Sequence, residues 1–88
     1  MKTIVMIFAS SCDDCKAMRQ AINTGIRHFG LEDEVNIMAH NCADDSTIDV
    51  ALEYNITDIP GCSIGGKVIE GEGFDPQDIL DALEVFSK

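Results

Sequence analysis

Two cysteines separated by two aspartates, Cys12-Asp13-Asp14-Cys15, are the residues whose types and spacing are best suited to chemistry. Such a pair can act as a dithiol, in which one thiolate attacks a disulfide and the second thiol resolves the intermediate, or as half of a metal site. The two aspartates oppose thiolate formation, because a nearby negative charge disfavours a second one. The motif therefore predicts thiol chemistry that its own acids modulate.

The elements on either side of the motif are a strand and a helix. Residues 2–9 form a near-continuous apolar run, which is typical of a central strand covered on both faces. Apolar residues then follow at spacings of three and four, and Gly30 ends this predicted helix. Cys12 would lie at the helix N-terminus, where the dipole and unpaired N–H groups favour a thiolate. Asp13 and Asp14 are also ordinary first-turn residues, and both effects act at once.

The rest of the chain predicts two more helices and three more strands. Alternation over residues 35–40 indicates a strand, and residues 46–54 indicate a short helix capped by Asp45 or Ser46. Gly65-Gly66 predicts a hairpin between "GCSI" and "KVIEG". Asp75, followed by Pro76, is typical of the start of a last helix. We expect one domain, residues 1–88, with the order β-α-β-α-β-β-α.

Some side chains have predicted packing roles. Gly25 lies inside the first helix at a cost of about 1 kcal/mol relative to alanine, which indicates a close packing contact. Tyr54 is interpreted as packing at a helix end. Met6, Met18 and Met38 are interpreted as core residues. The apolar residues that indicate the short helix are Ile48, Ala51 and Leu52.

This order of elements resembles the thioredoxin-like fold, an α/β architecture with a central four-stranded mixed sheet flanked by helices. The Cys12–Cys15 motif follows the first strand, as the family's redox motif does, and "YNITDIPGCSIGGKVIEG" at residues 54–71 is similar to the family's second signature. The resemblance implies a cis peptide at Ile59-Pro60, where the backbone of Ile59 docks substrate. It also implies that Cys12 is the nucleophile and Cys15 the resolving thiol.

Two departures from the family concern residues beside the motif. Ser11 stands where typical thioredoxins have tryptophan, and Met6 stands where they have a buried acid. Ser10 and Ser11 stand where glutaredoxins often have a basic residue near the first cysteine, and the acidic chain makes anionic glutathione an unfavourable reductant. We therefore place it outside both main branches, as a small thioredoxin-like protein. Because the aspartates destabilise the thiolate, we expect a comparatively reducing Cys12–Cys15 pair.

Cys42 and Cys62 leave alternatives open. The predicted layout brings both to the end of the sheet that carries the motif. One interpretation makes them buried, inert side chains, since unpaired cysteines are often buried. The other makes them a second thiol pair, or added ligands that complete a four-sulfur zinc or iron–sulfur site with Cys12 and Cys15. His28 and His40 each stand alone in sequence and are interpreted as packing or surface residues.

The charge excludes some classes of partner. Six basic and sixteen acidic residues give a net charge of −10, which argues against nucleic acid and anionic membranes. Eight acids and no Lys or Arg lie between Arg27 and Lys67. This acidic stretch is interpreted either as a solvated face or as a docking patch. The apolar run from Ile4 to Ala9 is shorter than a signal core of roughly 7–15 residues, so we expect a cytoplasmic protein.

The leading functional hypothesis is a thiol–disulfide oxidoreductase. It would act on a disulfide-containing protein or small molecule, receive electrons from an upstream reductase, function as a monomer and need no cofactor beyond its own disulfide. The first alternative is a non-catalytic metal-binding or metal-delivery module that uses Cys12 and Cys15 with Cys42 or Cys62. The second is a scaffold that docks proteins through its acidic face.

Overall fold

The computed structural model describes residues 2–88. The elements, in chain order, are β1 (Lys2–Phe8), α1 (Asp13–His28), β2 (Val35–Asn41), α2 (Thr47–Tyr54), β3 (Gly61–Ile64), β4 (Lys67–Glu70) and α3 (Pro76–Phe86). The strands form one sheet in the order β2-β1-β3-β4, in which β1 is parallel to β2 and antiparallel to β3. The predicted order of elements and the mixed four-stranded sheet are confirmed.

Strand β1 is the centre of the sheet, and its middle four residues are all buried. Ile4 and Met6 belong to a core shared with α1 and α3, whereas Val5 and Ile7 belong to a second core on the side of α2. A strand covered on both faces needs apolar residues at every position rather than at alternate ones. This explains the continuous apolar run that the sequence shows there.

Gly25 of α1 is a point of close approach to α3. A Cβ at this position would overlap the side chain of Leu83 and lie 3.1 Å from the Leu80 Cδ2 atom. Leu83 is completely buried in the same core. The two helices therefore pack closely because residue 25 has no side chain, and the predicted contact is confirmed.

The predicted glycines at turns and the predicted helix cap are also present. Gly30 has a φ of 66°, the left-handed conformation expected just after a helix end. Gly65 and Gly66 both have positive φ, as a two-residue hairpin turn between antiparallel strands requires. The Asp75 side chain accepts a hydrogen bond from the Gln77 N–H and so caps α3. These local signals set where the elements begin and end.

The placements of Met38 and Ser46 differ from the sequence interpretation, and two apolar residues of α2 are exposed. Met38 is 43% exposed, so it is not a core residue like Met6 and Met18, because β2 is an edge strand. Ser46 precedes α2 but its side chain makes no capping hydrogen bond. Ile48 and Leu52 are 70% and 74% exposed, so the apolar positions of α2 lie partly on its outer side.

Helix α2 is held to the sheet by a polar contact and by the packing of a few half-buried side chains. The hydroxyl of the buried Thr47 donates to the carbonyl oxygen of Asn41 at 2.6 Å, at the end of β2. Ala51 and Tyr54 are half-buried against the second core, and the packing role of Tyr54 is confirmed. No helix among residues 2–88 is long and apolar enough to cross a membrane.

Candidate active site

Cys12 and Cys15 form a disulfide at the N-terminus of α1, with their Cα atoms 5.2 Å apart. Cys12 is the N-cap residue, and its Sγ atom accepts a hydrogen bond from the Cys15 N–H at 3.1 Å. The Cys15 Sγ atom accepts one from the Ala9 N–H at 3.5 Å. Both sulfurs are thus held by backbone N–H groups, and such donors stabilise negative charge on sulfur when the pair is reduced.

The two sulfurs differ in exposure. Cys12 is half-buried, whereas Cys15 is 4% exposed and belongs to the main core. This difference follows from helix geometry, because the N-cap residue lies outside the first turn while Cys15 lies on the stripe that faces the sheet. An incoming disulfide can therefore reach the sulfur of Cys12 more readily than that of Cys15.

The charged side chains nearest in sequence to the disulfide have both signs. Asp13 is exposed and Asp14 is half-buried in the first turn of α1. Beside the disulfide is a cavity of about 300 Å³, which Cys12 and Cys15 line together with Lys16 and Arg19. Two of the chain's six basic residues are therefore at this cavity. Met6 also lines it, so the floor of the cavity carries no acid at that position.

The Ile59–Pro60 peptide bond is cis and lies at the same end of the sheet as the disulfide. The antiparallel register pairs Ile7 with Gly61, which brings Pro60 to the end of β1, just before the loop that leads to Cys12. Pro60 is buried and Ile59 is half-buried. The Pro60 carbonyl oxygen accepts a hydrogen bond from the Gly71 N–H at 2.7 Å, so the loop is fixed from the β4 side as well.

Two carboxylates hold the segment before Pro60, and sequence reasoning did not assign them a role. Glu70 accepts hydrogen bonds from the N–H groups of Thr57 and Asp58 at 2.6 and 3.0 Å, and from the Thr57 hydroxyl at 3.0 Å. Asp58 accepts one from the Ile59 N–H at 2.8 Å. All three N–H groups that precede the proline are thus bonded to carboxylate oxygens.

Cys62 is fully buried in the core that also contains Cys15. Burial raises the pKa of the Cys62 thiol from an ordinary value of 9.0 to about 12, and a hydrogen bond with the backbone of Ile69 opposes this rise. The thiol is therefore neutral at physiological pH, whereas a cysteine must be a thiolate to act as a good nucleophile or metal ligand. The prediction that Cys62 is buried is confirmed, and its lack of reactivity stays a prediction.

Cys42 is exposed, so its interpretation as a buried residue is wrong. It follows the end of β2, and its N–H donates to the Phe8 carbonyl oxygen at 2.8 Å. Cys42 lines a groove with residues of α2, on the opposite side of the sheet from the core that holds Cys62. The two remaining cysteines therefore reach the same end of the molecule but lie on different faces of the sheet.

Over residues 2–88, no group of three or more His, Cys, Asp or Glu side chains is arranged to hold a metal ion. His28 is exposed in the last turn of α1. His40 is half-buried on β2 beside Ile7, and its Nε2 atom is buried without a hydrogen-bond partner within the same described range. The four cysteines and the two histidines thus do not converge on one point.

Comparisons with solved structures show what the fold is similar to. An uncharacterized thioredoxin-like protein from Clostridium perfringens matches with a TM-score of 0.73 and 22% identity, over 96% of this chain and 69% of that one. A malarial protein matches with a TM-score of 0.59 and 9% identity, over 96% and 94% of the two chains. Human ERp44 in a zinc-bound form matches with a TM-score of 0.54 and 18% identity, over 98% and 26%.

No protein-family model matches the sequence, and no curated protein matches it. The structural matches nevertheless agree in overall fold, with TM-scores of 0.54 to 0.73. The chain has a thioredoxin-like fold with a disulfide-bonded CxxC motif at the start of its first helix.

Proposed function

We propose that this thioredoxin-like chain is a thiol–disulfide oxidoreductase that uses Cys12 as nucleophile and Cys15 as resolving thiol. The observation that carries the proposal is the Cys12–Cys15 disulfide, in which Cys12 is half-buried and Cys15 is buried. Exchange needs an accessible sulfur for attack and a second one close enough to resolve the intermediate. A disulfide with these two environments at a helix N-terminus meets both requirements.

In the reduced protein, the Cys12 thiolate attacks one sulfur of a substrate disulfide. A Cys12–substrate bond forms, the substrate disulfide breaks, and one substrate thiolate leaves. Cys15 then loses its proton and attacks the Cys12 sulfur, which releases the second substrate thiolate and forms the Cys12–Cys15 disulfide. Two electrons pass to the substrate, and an upstream dithiol reductase must return two electrons to the protein.

The metal-module alternative has less support. A zinc or iron–sulfur site with four cysteines would need Cys42 and Cys62 beside the motif, but one is exposed on the α2 side and the other is buried on the opposite face. Human ERp44, one of the structural matches, was solved in a zinc-bound form. The experiment below therefore includes zinc.

The test is a redox titration of the metal-free protein against dithiothreitol, with mass-spectrometric mapping of the cysteines and a parallel zinc titration, followed by substrate trapping. We expect a reversible Cys12–Cys15 disulfide. Cys15→Ser should accumulate a mixed disulfide on Cys12 with a peptide disulfide, Cys12→Ser should not react, and Cys42→Ser, the matched control, should behave as wild type. Tight stoichiometric zinc binding by three or four cysteines, with no reversible Cys12–Cys15 disulfide, would overturn the proposal.

A further inference from the structure

The backbone N–H of Ile59, to which the family resemblance assigns substrate docking, is already bonded within the protein. Asp58 Oδ1 accepts it at 2.8 Å. The neighbouring N–H groups of Thr57 and Asp58 are bonded to Glu70, a half-buried residue of β4 that also accepts the Thr57 hydroxyl. Asp58 itself is exposed and lies in a loop. Of the two carboxylates, Asp58 is the one that can move aside.

Beside this loop is an open apolar groove of about 370 Å³ between α2 and the residues that precede the cis-proline, the last of which is Ile59. Asp58 is the one ionisable acid or base, cysteine aside, among its lining residues within the described chain. Ile48 and Leu52, which are among the most exposed large apolar side chains of residues 2–88, also line it. The groove thus offers an apolar surface with a single negative charge at its cis-proline end.

The wider surroundings carry charge of the same sign. The chain contains no Lys or Arg between Arg27 and Lys67, a range that includes α2, the groove-lining loop and Pro60. Complementary charge favours association and selects against partners of like charge. A substrate that binds along this groove therefore gains from a positive charge, and an acidic one is repelled.

On the basis of the proposed disulfide exchange, we propose that the substrate is a polypeptide whose disulfide is flanked by an apolar side chain and a Lys or Arg, selected by Asp58. The apolar side chain lies in the groove against Leu52. The substrate carbonyl replaces Asp58 Oδ1 at the Ile59 N–H, and the released carboxylate pairs with the basic side chain. Asp58 thus disfavours docking by neutral and acidic segments, because they displace its hydrogen bond without supplying a new partner.

The test compares three synthetic peptide disulfides that differ only in the residues beside the cystine, which are basic, neutral or acidic. The reduced protein should show the highest kcat/KM for the basic peptide, mainly through KM. Its advantage over the acidic peptide should fall as ionic strength rises, since exposed charges are screened.

Two substitutions separate the two roles of Asp58. Asp58→Asn keeps an acceptor for the Ile59 N–H but removes the charge, so the preference for the basic peptide should fall about two- to fivefold, the range for an exposed charge pair. Asp58→Ala removes both, so the neutral peptide should also gain in kcat/KM. Asp33→Asn, which removes the same charge in the turn before β2, is the matched control and should leave the preference unchanged.

The apolar contact has its own pair of variants. Leu52→Gln should raise KM for all three peptides about threefold to fivefold, the effect of losing part of a buried leucine side chain. Val85→Gln replaces another exposed apolar residue of a helix, 72% exposed on α3 and lining a different cavity, and should have no effect. Reduction of a small aromatic disulfide, which does not fill the groove, should stay the same in both variants.

The outcomes distinguish this inference from the proposed function. Equal rates for the three peptides, or an unchanged preference in Asp58→Asn, would overturn the inference and leave the oxidoreductase intact. Failure to reduce any disulfide, including the small aromatic one, would overturn both.

Discussion

Replacing Asp13 and Asp14 with asparagine should make the redox potential of the Cys12–Cys15 pair less negative, by an amount that depends on pH. Both acids lie in the first turn of α1, next to the N-cap cysteine. Their charges oppose ionisation of Cys12, whereas the helix dipole and the Cys15 N–H favour it. Removing the charges stabilises the thiolate and with it the reduced form, which makes the pair more oxidising.

The size of the effect follows from Coulomb's law. One charge at roughly 6 Å in a partly exposed site contributes about 0.5–1 kcal/mol, so two acids contribute about 1–2 kcal/mol. For a two-electron couple, 1.4 kcal/mol corresponds to about 30 mV. The gain acts fully only at a pH where the reduced Cys12 is ionised, and ordinary cysteine thiols ionise well above neutral pH. We expect a shift of about 20–40 mV at pH 9.5 and below about 10 mV at pH 7.

The assay is an equilibrium titration against dithiothreitol at both pH values, with the Cys12–Cys15 disulfide quantified by alkylation and mass spectrometry. The matched control is Glu32→Gln with Asp33→Asn, which removes the same two charges at the turn before β2. The explanation is refuted if the potential does not rise at pH 9.5, if the shift is independent of pH, or if the control shifts the potential equally. In those cases the acids would act only as first-turn helix residues.

Three further outcomes test the packing, the buried thiol and the docking loop. Gly25→Ala should lower the free energy of unfolding in urea by about 1–3 kcal/mol, because overlap with Leu83 outweighs the gain of about 1 kcal/mol in helix propensity. The free energy of unfolding should fall as pH rises above about 9, because Cys62 ionises in the unfolded chain while the folded thiol has a pKa of about 12. The expected loss of stability is about 1.4 kcal/mol at pH 10. It should be absent in Cys62→Ala. Glu70→Gln should cost about 1–3 kcal/mol and slow reduction of peptide disulfides more than of small ones, because an amide cannot accept all three donors of the loop before Pro60.

Much of the fold could be predicted from local signals. The apolar run of β1 required a strand covered on both faces, and Gly30, Gly65-Gly66 and Asp75 each set a boundary through a specific backbone need. Helix α2 shows where such reasoning ends. Its apolar residues predicted a helix but not its orientation. The orientation depends on contacts outside the helix, namely the bond of the Thr47 hydroxyl to the Asn41 carbonyl oxygen and the packing of Ala51 and Tyr54 against the second core.

The candidate site divides in the same way. The cysteine pair and the proline are carried by motifs, whereas the roles of Asp58 and Glu70 depend on a contact that the β3–β4 hairpin creates. The sequence gives no sign that Glu70 accepts the N–H groups of Thr57 and Asp58, which lie more than ten residues away in the chain. An acid just before the Ile59-Pro60 pair was nevertheless a usable signal, because an aspartate readily bonds the N–H groups that follow it.

The acids of the cysteine motif act on thiolate attack, and Asp58 acts on substrate docking. A positive charge beside the substrate cystine affects both steps. Asp13 and Asp14 raise the free energy of the Cys12 thiolate, so they slow attack on a neutral disulfide at neutral pH. The Asp58 carboxylate accepts the hydrogen bond of the Ile59 N–H until a substrate carbonyl replaces the carboxylate. A basic side chain beside the substrate cystine pairs with Asp58, and within a Debye length of about 8 Å it also offsets the field of the motif acids at the sulfur. The same positive charge therefore lowers KM through docking and raises the rate of attack through the thiolate. The acids of the motif and of the docking loop thus make reactivity depend on the charge of the partner.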